Sequence, residues 1–590
     1  MKKWLLLGLT GMLSLNMPAL LAQQSMNEMW GKQDSKTTEA DPGKKNLFDT
    51  HFAMFIHWGL FSQLANKWQG KTYYGIGEWL MNSNMANIPV KDYMPVAKDF
   101  NPAAFDARKI AQLAKDAGMK YIIITAKHHD GFAMYHSMVN KFNIVDATPF
   151  KRDPMKELSE ACKALGLGFG FYYSHNQDWT YPGGTGGPKT DSAGRTKKFD
   201  DYFVEKCLPQ VEEITRNYGD MVLIWFDTPG GMPAKYAQQL VNVVRKNQSN
   251  ALVSGRVGYN LGDYQTLGDM EVPLERIAGR WESVDVTNDA WGYAWYDENW
   301  KSPHKILTLL VATVARGGTY MLNIGPDGQG RVPEPVQASL RSVGKWISRY
   351  PQVIYHAQAS PWKHALPWGD AVINNGKLYL AVYQWPASGS LLVPGLKSEI
   401  ASARVLKNGK AEKIAFKKEG SWIRLKTPVQ APDPMVSVIE LTLKSAPEAV
   451  SDLALDPDFG LDVSVKFGRP EACTVTGKSW MEKFGEWKHT YQVSDWKPDS
   501  RISWELEVKE AGTYLVELKC SGNGPKVWKV QTEEGIAIQN RQNTGSIYHH
   551  QPIGWIRFKT PGKHTITVSM PEEDRTGTSL SGLKLTPVQF

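Results

Sequence analysis

Between about residue 45 and residue 350 the chain repeats one unit: an amphipathic helix, a stop, a short apolar strand, then polar residues. In one cycle Asp106-Ala107 opens a helix whose apolar positions Ile110, Leu113, Ala114 and Ala117 share a face. Gly118 stops it, and Tyr121-Ile122-Ile123-Ile124 forms a strand ending at His128-His129-Asp130-Gly131. The next cycle has Asp153 as cap and Pro154 at the first helical position, breaks at Gly166, and ends its strand in Tyr172-Tyr173-Ser174. The third is a helix before Tyr218-Gly219, then a strand closing at Trp225-Phe226-Asp227. The fourth runs through Val243-Val244 into Ala251-Leu252-Val253 and reaches Arg256. This is the signature of a parallel (β/α)8-like TIM barrel, whose strands all end on one face, so His128, Tyr173, Asp227 and Arg256 are expected to converge. An open doubly wound sheet gives the same alternation, but it would usually show a Gly-rich phosphate loop after its first strand. None is present.

At 590 residues the chain is too long for one core. After Pro351 the helical period disappears. Runs such as Lys377 to Tyr383 and Ser437 to Leu441, with turns at Asn374-Asn375-Gly376 and Asn408-Gly409, read as a β-sandwich. A linker at Ser445-Ala446-Pro447 leads to further alternating strands, including Thr513 to Leu518 and His564 to Val568. The expected plan is an α/β barrel domain over 23–350, a β-sandwich over 351–446 and a β-rich module over 447–590. The last is read as structural support with core Trp, with carbohydrate binding through Trp480, Trp487, Trp528 or Trp555 as the alternative.

Residues 1–22 read as an export signal. Lys2-Lys3 precedes Trp4 to Leu9 and a further apolar stretch, and the small residue Ala22 precedes Gln23-Gln24. The apolar part is too short and broken for a membrane span, so a periplasmic or secreted destination is expected. The net charge of +8 comes from 68 basic and 60 acidic residues without a basic cluster, so nucleic acid is not an expected partner. Four Cys, at 162, 207, 473 and 520, are too few for a disulfide scaffold, and we read them as buried thiols.

The rigid strand end before Thr228-Pro229-Gly230-Gly231 makes Asp227 the first candidate for a catalytic group, although an Asp that merely caps the turn has the same local pattern. Hydrolysing a glycosidic bond requires a second carboxyl to protonate the departing oxygen. Glu282 lies among bulky aromatics, where desolvation raises a carboxyl's pKa as an acid requires; Glu271, Glu275 and Asp285 are rivals. His57, His128 and His129 raise the question of a metal, but the usual paired-His spacings are absent, and neither metal nor cofactor is expected.

Seven motifs then agree in order: Phe55-Ile56-His57-Trp58-Gly59, Gly77-Glu78-Trp79, Ala126 to Phe132, Asn143 to Thr148, Tyr172-Tyr173-Ser174, Trp225-Phe226-Asp227, and Gly317-Gly318 leading to Leu322-Asn323-Ile324-Gly325-Pro326. In these the chain resembles the retaining α-L-fucosidases of glycoside hydrolase family 29, over roughly residues 45 to 350 and into the following sandwich. The resemblance implies that Asp227 is the nucleophile of a covalent fucosyl-enzyme mechanism. It also implies that His57, Glu78, Trp79, His128, His129, Tyr173 and Arg256 line a pocket for one terminal L-fucose, with Trp225, Trp291 and Phe55 offering apolar surface. Tyr172 replaces Tyr173 if the strand register slips by one. The segment from Trp281-Glu282 to Trp291-Gly292-Tyr293 resembles the family's acid/base region, which implies Glu282 in that role. The expected substrate is a fucosylated oligosaccharide or glycoconjugate. An exo-α-L-galactosidase, whose sugar differs by one hydroxyl on C6, and a non-catalytic exported glycan-binding protein are the alternatives.

Overall fold

The computed structural model describes residues 47–571 and 575–588; the export signal read at 1–22 lies outside the described residues. Eight strands form one parallel sheet: β1 (Phe52–Ile56), β2 (Tyr121–Lys127), β3 (Gly168–Ser174), β4 (Leu223–Asp227), β5 (Leu252–Val253), β6 (Gln265–Thr266), β7 (Trp281–Val286) and β8 (Thr319–Ile324). Their spatial order is β5-β4-β3-β2-β1-β8-β7-β6, and a parallel bridge between Ser254 and Tyr264 joins the two ends. The result is the TIM-like barrel that the helix–strand cycles predict.

The helices form where local chemistry places them. Asp106 caps α1 (Ala107–Asp116) by accepting from Lys109 N–H. Asp153 caps α2 (Pro154–Leu165) by accepting from Met155 and Lys156, and Gly166 ends α2 in the left-handed region at φ 71°. The outer ring continues with α3 (Leu208–Asn217), α4 (Ala234–Asn247), α5 (Pro303–Ala315) and α6 (Glu334–Arg349). A π-helical turn, Phe203–Cys207, precedes α3 and holds Lys206 and Cys207 buried. The connections after β5 and β6 carry no α-helix; Gly255–Val257 is a single 3-10 turn bearing Arg256.

Strand alternation divides the side chains between two cores. Phe55, Ile123, Tyr172, Trp225 and Val284 fill the barrel interior, while Ile122, Ile124, Tyr173 and Phe226 pack outward against the helices. Tyr173 is therefore not a pocket residue: its hydroxyl donates to Gln210 Oε1 of α3 at 2.9 Å. Its neighbour Tyr172 is the one that faces inward.

Residues 369–443 form a five-stranded and a three-stranded antiparallel sheet over a shared core, and 453–587 form two six-stranded sheets. In the latter, Trp528 is core and Trp555 is 63% exposed, while Trp480 and Trp487 are intermediate. One hairpin, Val475–Met481 paired with Trp487–Val493, reaches back to the barrel. Cys162, Cys207 and Cys520 are buried free thiols; Cys473 is half-buried rather than buried, its Sγ donating to the Arg501 carbonyl. No helix among the described residues is long and apolar enough to cross a membrane.

Candidate active site

Asp227 is the last residue of β4, on the face where a parallel barrel gathers its strand ends. Its Oδ2 accepts from Tyr172 Oη at 2.9 Å, and its Oδ1 accepts from Thr228 N–H at 2.9 Å and from Arg256 Nη1 at 3.2 Å. Thr228 occupies φ 46°, a left-handed backbone that a β-branched residue rarely adopts and that costs on the order of 1–3 kcal/mol. In that turn the Thr228 N–H points back onto the carboxylate, so the backbone adds a hydrogen bond that helps hold Asp227 in place.

Arg256 carries the arrangement further. Its Nη2 bonds Asp269 Oδ1 and the Leu267 carbonyl, so one buried guanidinium holds two carboxylates, Asp227 and Asp269, at once. The same guanidinium lies 4.8 Å from the Trp225 ring, and Trp225 stacks on Tyr172 with centroids 5.5 Å apart. These rings form a floor beneath Asp227.

Three histidines line the cleft as neutral imidazoles, because burial pushes His57 down to about 4 and holds His128 and His129 well below their ordinary range. His57 Nδ1 donates to Asn323 Oδ1 at 2.8 Å, which leaves Nε2 as an acceptor. His129 Nδ1 meets Ser174 Oγ at 2.6 Å, and Ser174 in turn donates to the Gln177 carbonyl. His129 Nε2 is thereby also an acceptor, 3.7 Å from Asp227 Oδ2. Two acceptors at that spacing leave room for a hydrogen-bond donor from a ligand. His128 stacks on Tyr172 at 5.1 Å, and its buried Nδ1 has no hydrogen-bond partner among the described residues. Glu78 accepts from Gly292 N–H at 2.8 Å, and burial raises it to about 8, so it carries a proton at neutral pH. Trp291 lies 5.1 Å from the His57 ring, and Trp79 meets His129 edge-on at 5.3 Å.

Glu282 is the sequence candidate that the structure does not bring to the cleft. It is the second residue of β7, at the opposite end of its strand from the catalytic face, and it is fully buried. Its Oε1 accepts from Trp225 Nε1 at 2.6 Å and Thr266 Oγ1 at 2.9 Å, and the Tyr264 hydroxyl also interacts with the carboxyl. The Trp225 indole separates it from Asp227. Burial does raise it, to about 7, but as a carboxyl inside the barrel rather than at its mouth. Among the rivals, Asp285 faces outward to Tyr320 and Lys301, Glu275 pairs with Lys466 on the surface, and Glu271 accepts from Gly268 N–H.

Sequence reading missed Asp269, which follows a two-residue strand too short to show a pattern. It also gave no role to Asn323 or Ser174, although both lay inside quoted motifs. A cavity of about 800 Å³ lies between residues 265–277 and the C-terminal domain, yet none of His57, His129, Asp227 or Arg256 lines it. Ligand chemistry belongs to the cleft over Asp227, where the titratable groups converge.

A family model described as "Alpha-L-fucosidase" matches residues 18–352. The α-L-fucosidase structure from a Vibrio species is 28% identical, covers 94% of this chain and 99% of its own, and superposes with a TM-score of 0.75. The corresponding figures for α-L-fucosidase isoenzyme 1 of Paenibacillus thiaminolyticus are 30%, 67%, 97% and 0.60. Human plasma α-L-fucosidase is 27% identical over 422 residues, which is 67% of this chain and 86% of the human protein. The barrel, its sandwich and the seven ordered motifs thus share one explanation: the chain belongs to the α-L-fucosidases of glycoside hydrolase family 29.

Proposed function

We propose that this enzyme, exported to the periplasm or secreted, removes single terminal α-linked L-fucose residues from fucosylated oligosaccharides or glycoconjugates, with retention, through a covalent intermediate on Asp227. The observation that carries the reading is the pair of carboxylates on one guanidinium. Retaining glycosidases work with a close pair of carboxyls on one cleft, and the two terminal nitrogens of Arg256 hold Asp227 at 3.2 Å and Asp269 at 2.5 Å, which tethers both carboxylates to one guanidinium. Asp227 attacks the anomeric carbon as the aglycone leaves. Asp269, on the loop after β6, protonates the departing oxygen and then activates water. This moves the acid/base role from Glu282 to Asp269. The floor of Trp225 and Tyr172 blocks passage deeper into the barrel, which favours one sugar entering at a chain end. Neutral imidazoles and protonated Glu78 suit ring hydroxyls, and Trp291 and Phe55 suit the C6 methyl.

The test pairs two variants with aryl α-L-fucoside and a fucosylated disaccharide. Asp227→Ala should fall to background on both. Asp269→Ala should lose 10²–10⁴-fold on the disaccharide, retain slow turnover of the activated aryl substrate, and yield an azide adduct of retained configuration. Near-normal disaccharide hydrolysis by Asp269→Ala would return the acid role to another carboxyl. Faster cleavage of the matching α-L-galactoside would replace the fucose reading.

A further inference from the structure

The hairpin 475–493 belongs to the C-terminal domain, but its tip lies at the barrel mouth. Phe484, half-buried there, meets Trp79 edge-to-face at 5.6 Å; Trp79 meets His129, which stands 3.7 Å from Asp227. Two side chains therefore separate the C-terminal domain from the candidate nucleophile. The approach is anchored at three points. Lys483 Nζ pairs with Asp289 at 3.1 Å, and His489 Nε2 donates to the carbonyl of Asp269 at 2.7 Å. Gly485 packs so tightly on Ile76 that a Cβ there would fall 2.3 Å from Cγ2. An anchored tip holds its ring in a fixed place, as a binding wall requires and a loosely tethered domain does not provide.

The same rim leaves aromatic rings in water. Tyr74 is 71% exposed and Trp295 44%, and both pack against Tyr296, whose hydroxyl accepts from Gly75 N–H at 2.7 Å. Exposed aromatic surface gathered beside a polar pocket marks a ligand surface, and a flat ring accepts the apolar face of a pyranose. Fucose fills the pocket over Asp227, so the next sugar outward reaches the rim.

We propose that Phe484, together with Trp79, forms the wall of the subsite for the sugar from which fucose is released, so that the C-terminal domain is part of the active site and selects the leaving group. This rests on the fucose reading above.

The full chain carrying Phe484→Ala or Phe484→Trp is compared with the unmutated enzyme for KM on a fucosylated disaccharide and for inhibition by free L-fucose. One aromatic contact corresponds to about a three- to tenfold change. Phe484→Ala should raise the disaccharide KM by that factor with the L-fucose inhibition constant unchanged, and Phe484→Trp should restore KM to within about twofold. An unchanged KM in Phe484→Ala overturns the proposal, as does a parallel rise in the L-fucose constant, which would signal a disturbed fucose pocket. If L-fucose fails to inhibit the unmutated enzyme, the fucose reading falls first and the proposal with it.

Discussion

Replacing Glu282 by Gln separates a buried structural carboxyl from a catalytic acid in one experiment. Burial pushes Glu282 up from 4.5 to about 7. Below pH 4.5 it is protonated in both the folded and unfolded chain. Between 4.5 and 7 the unfolded chain gives up a proton that the folded one keeps, so stability falls as pH rises; above 7 the loss is complete. At about 1.4 kcal/mol per pH unit the deficit reaches about 3 kcal/mol. Gln mimics the protonated acid: its carbonyl can take the bonds from Trp225 Nε1 and Thr266 Oγ1, and it cannot ionise. Glu282→Gln should therefore match the parent in urea unfolding near pH 4.5 and exceed it by about 3 kcal/mol at pH 7.5, followed by Trp fluorescence. Activity on the fucosylated disaccharide should stay within a fewfold. Two results refute the reasoning: a stability difference that does not grow with pH, or a loss of 10²-fold or more in hydrolysis, the expected effect of removing a general acid.

Two further predictions test the placement of side chains. Tyr172→Phe removes the 2.9 Å bond to Asp227, worth about 1.5–3 kcal/mol for a charged acceptor, and should lower kcat/KM roughly 10- to 100-fold; Tyr173→Phe, on the outer face, should leave kcat/KM nearly unchanged. Asp178→Asn leaves the buried Lys127 and Lys206 without the carboxylate they share, which the two ammonium groups, outweighing burial, hold down at about 2. It should destabilise the barrel by about 3–5 kcal/mol in denaturant unfolding, and an effect under about 1 kcal/mol would mean the cluster is hydrated.

The barrel was legible wherever its signals were local. Asp106, Asp153, Pro154 and Gly166 each act within one helical turn, so the helices they bound could be read directly. The inward face of β3 was harder to read, because parallel strands are apolar on both sides and Tyr172 and Tyr173 are chemically alike. Only the helix carrying Gln210 decides between them. Glu282 misled for a related reason: aromatic neighbours announce a desolvated carboxyl but say nothing of its height along the barrel axis. Asp269 was missed because β5 and β6 have two residues each and the connections between β5 and β7 carry no helical period. The contact of Phe484 with Trp79 joins residues some four hundred positions apart, and no local pattern encodes it.

The Lys127–Asp178–Lys206 cluster ties together the end of β2, the loop after β3 and the π-helical turn before α3. Removing Asp178 leaves two buried ammonium groups without the carboxylate they share, whereas removing either Lys leaves a paired residue, so the effect at each position depends on the other two. Loss of the shared carboxylate alone therefore costs stability that concerted apolar replacement of all three does not. Because Lys127 immediately precedes His128-His129, a constraint that looks purely structural also limits how freely the neighbouring cleft-lining histidines can be redesigned.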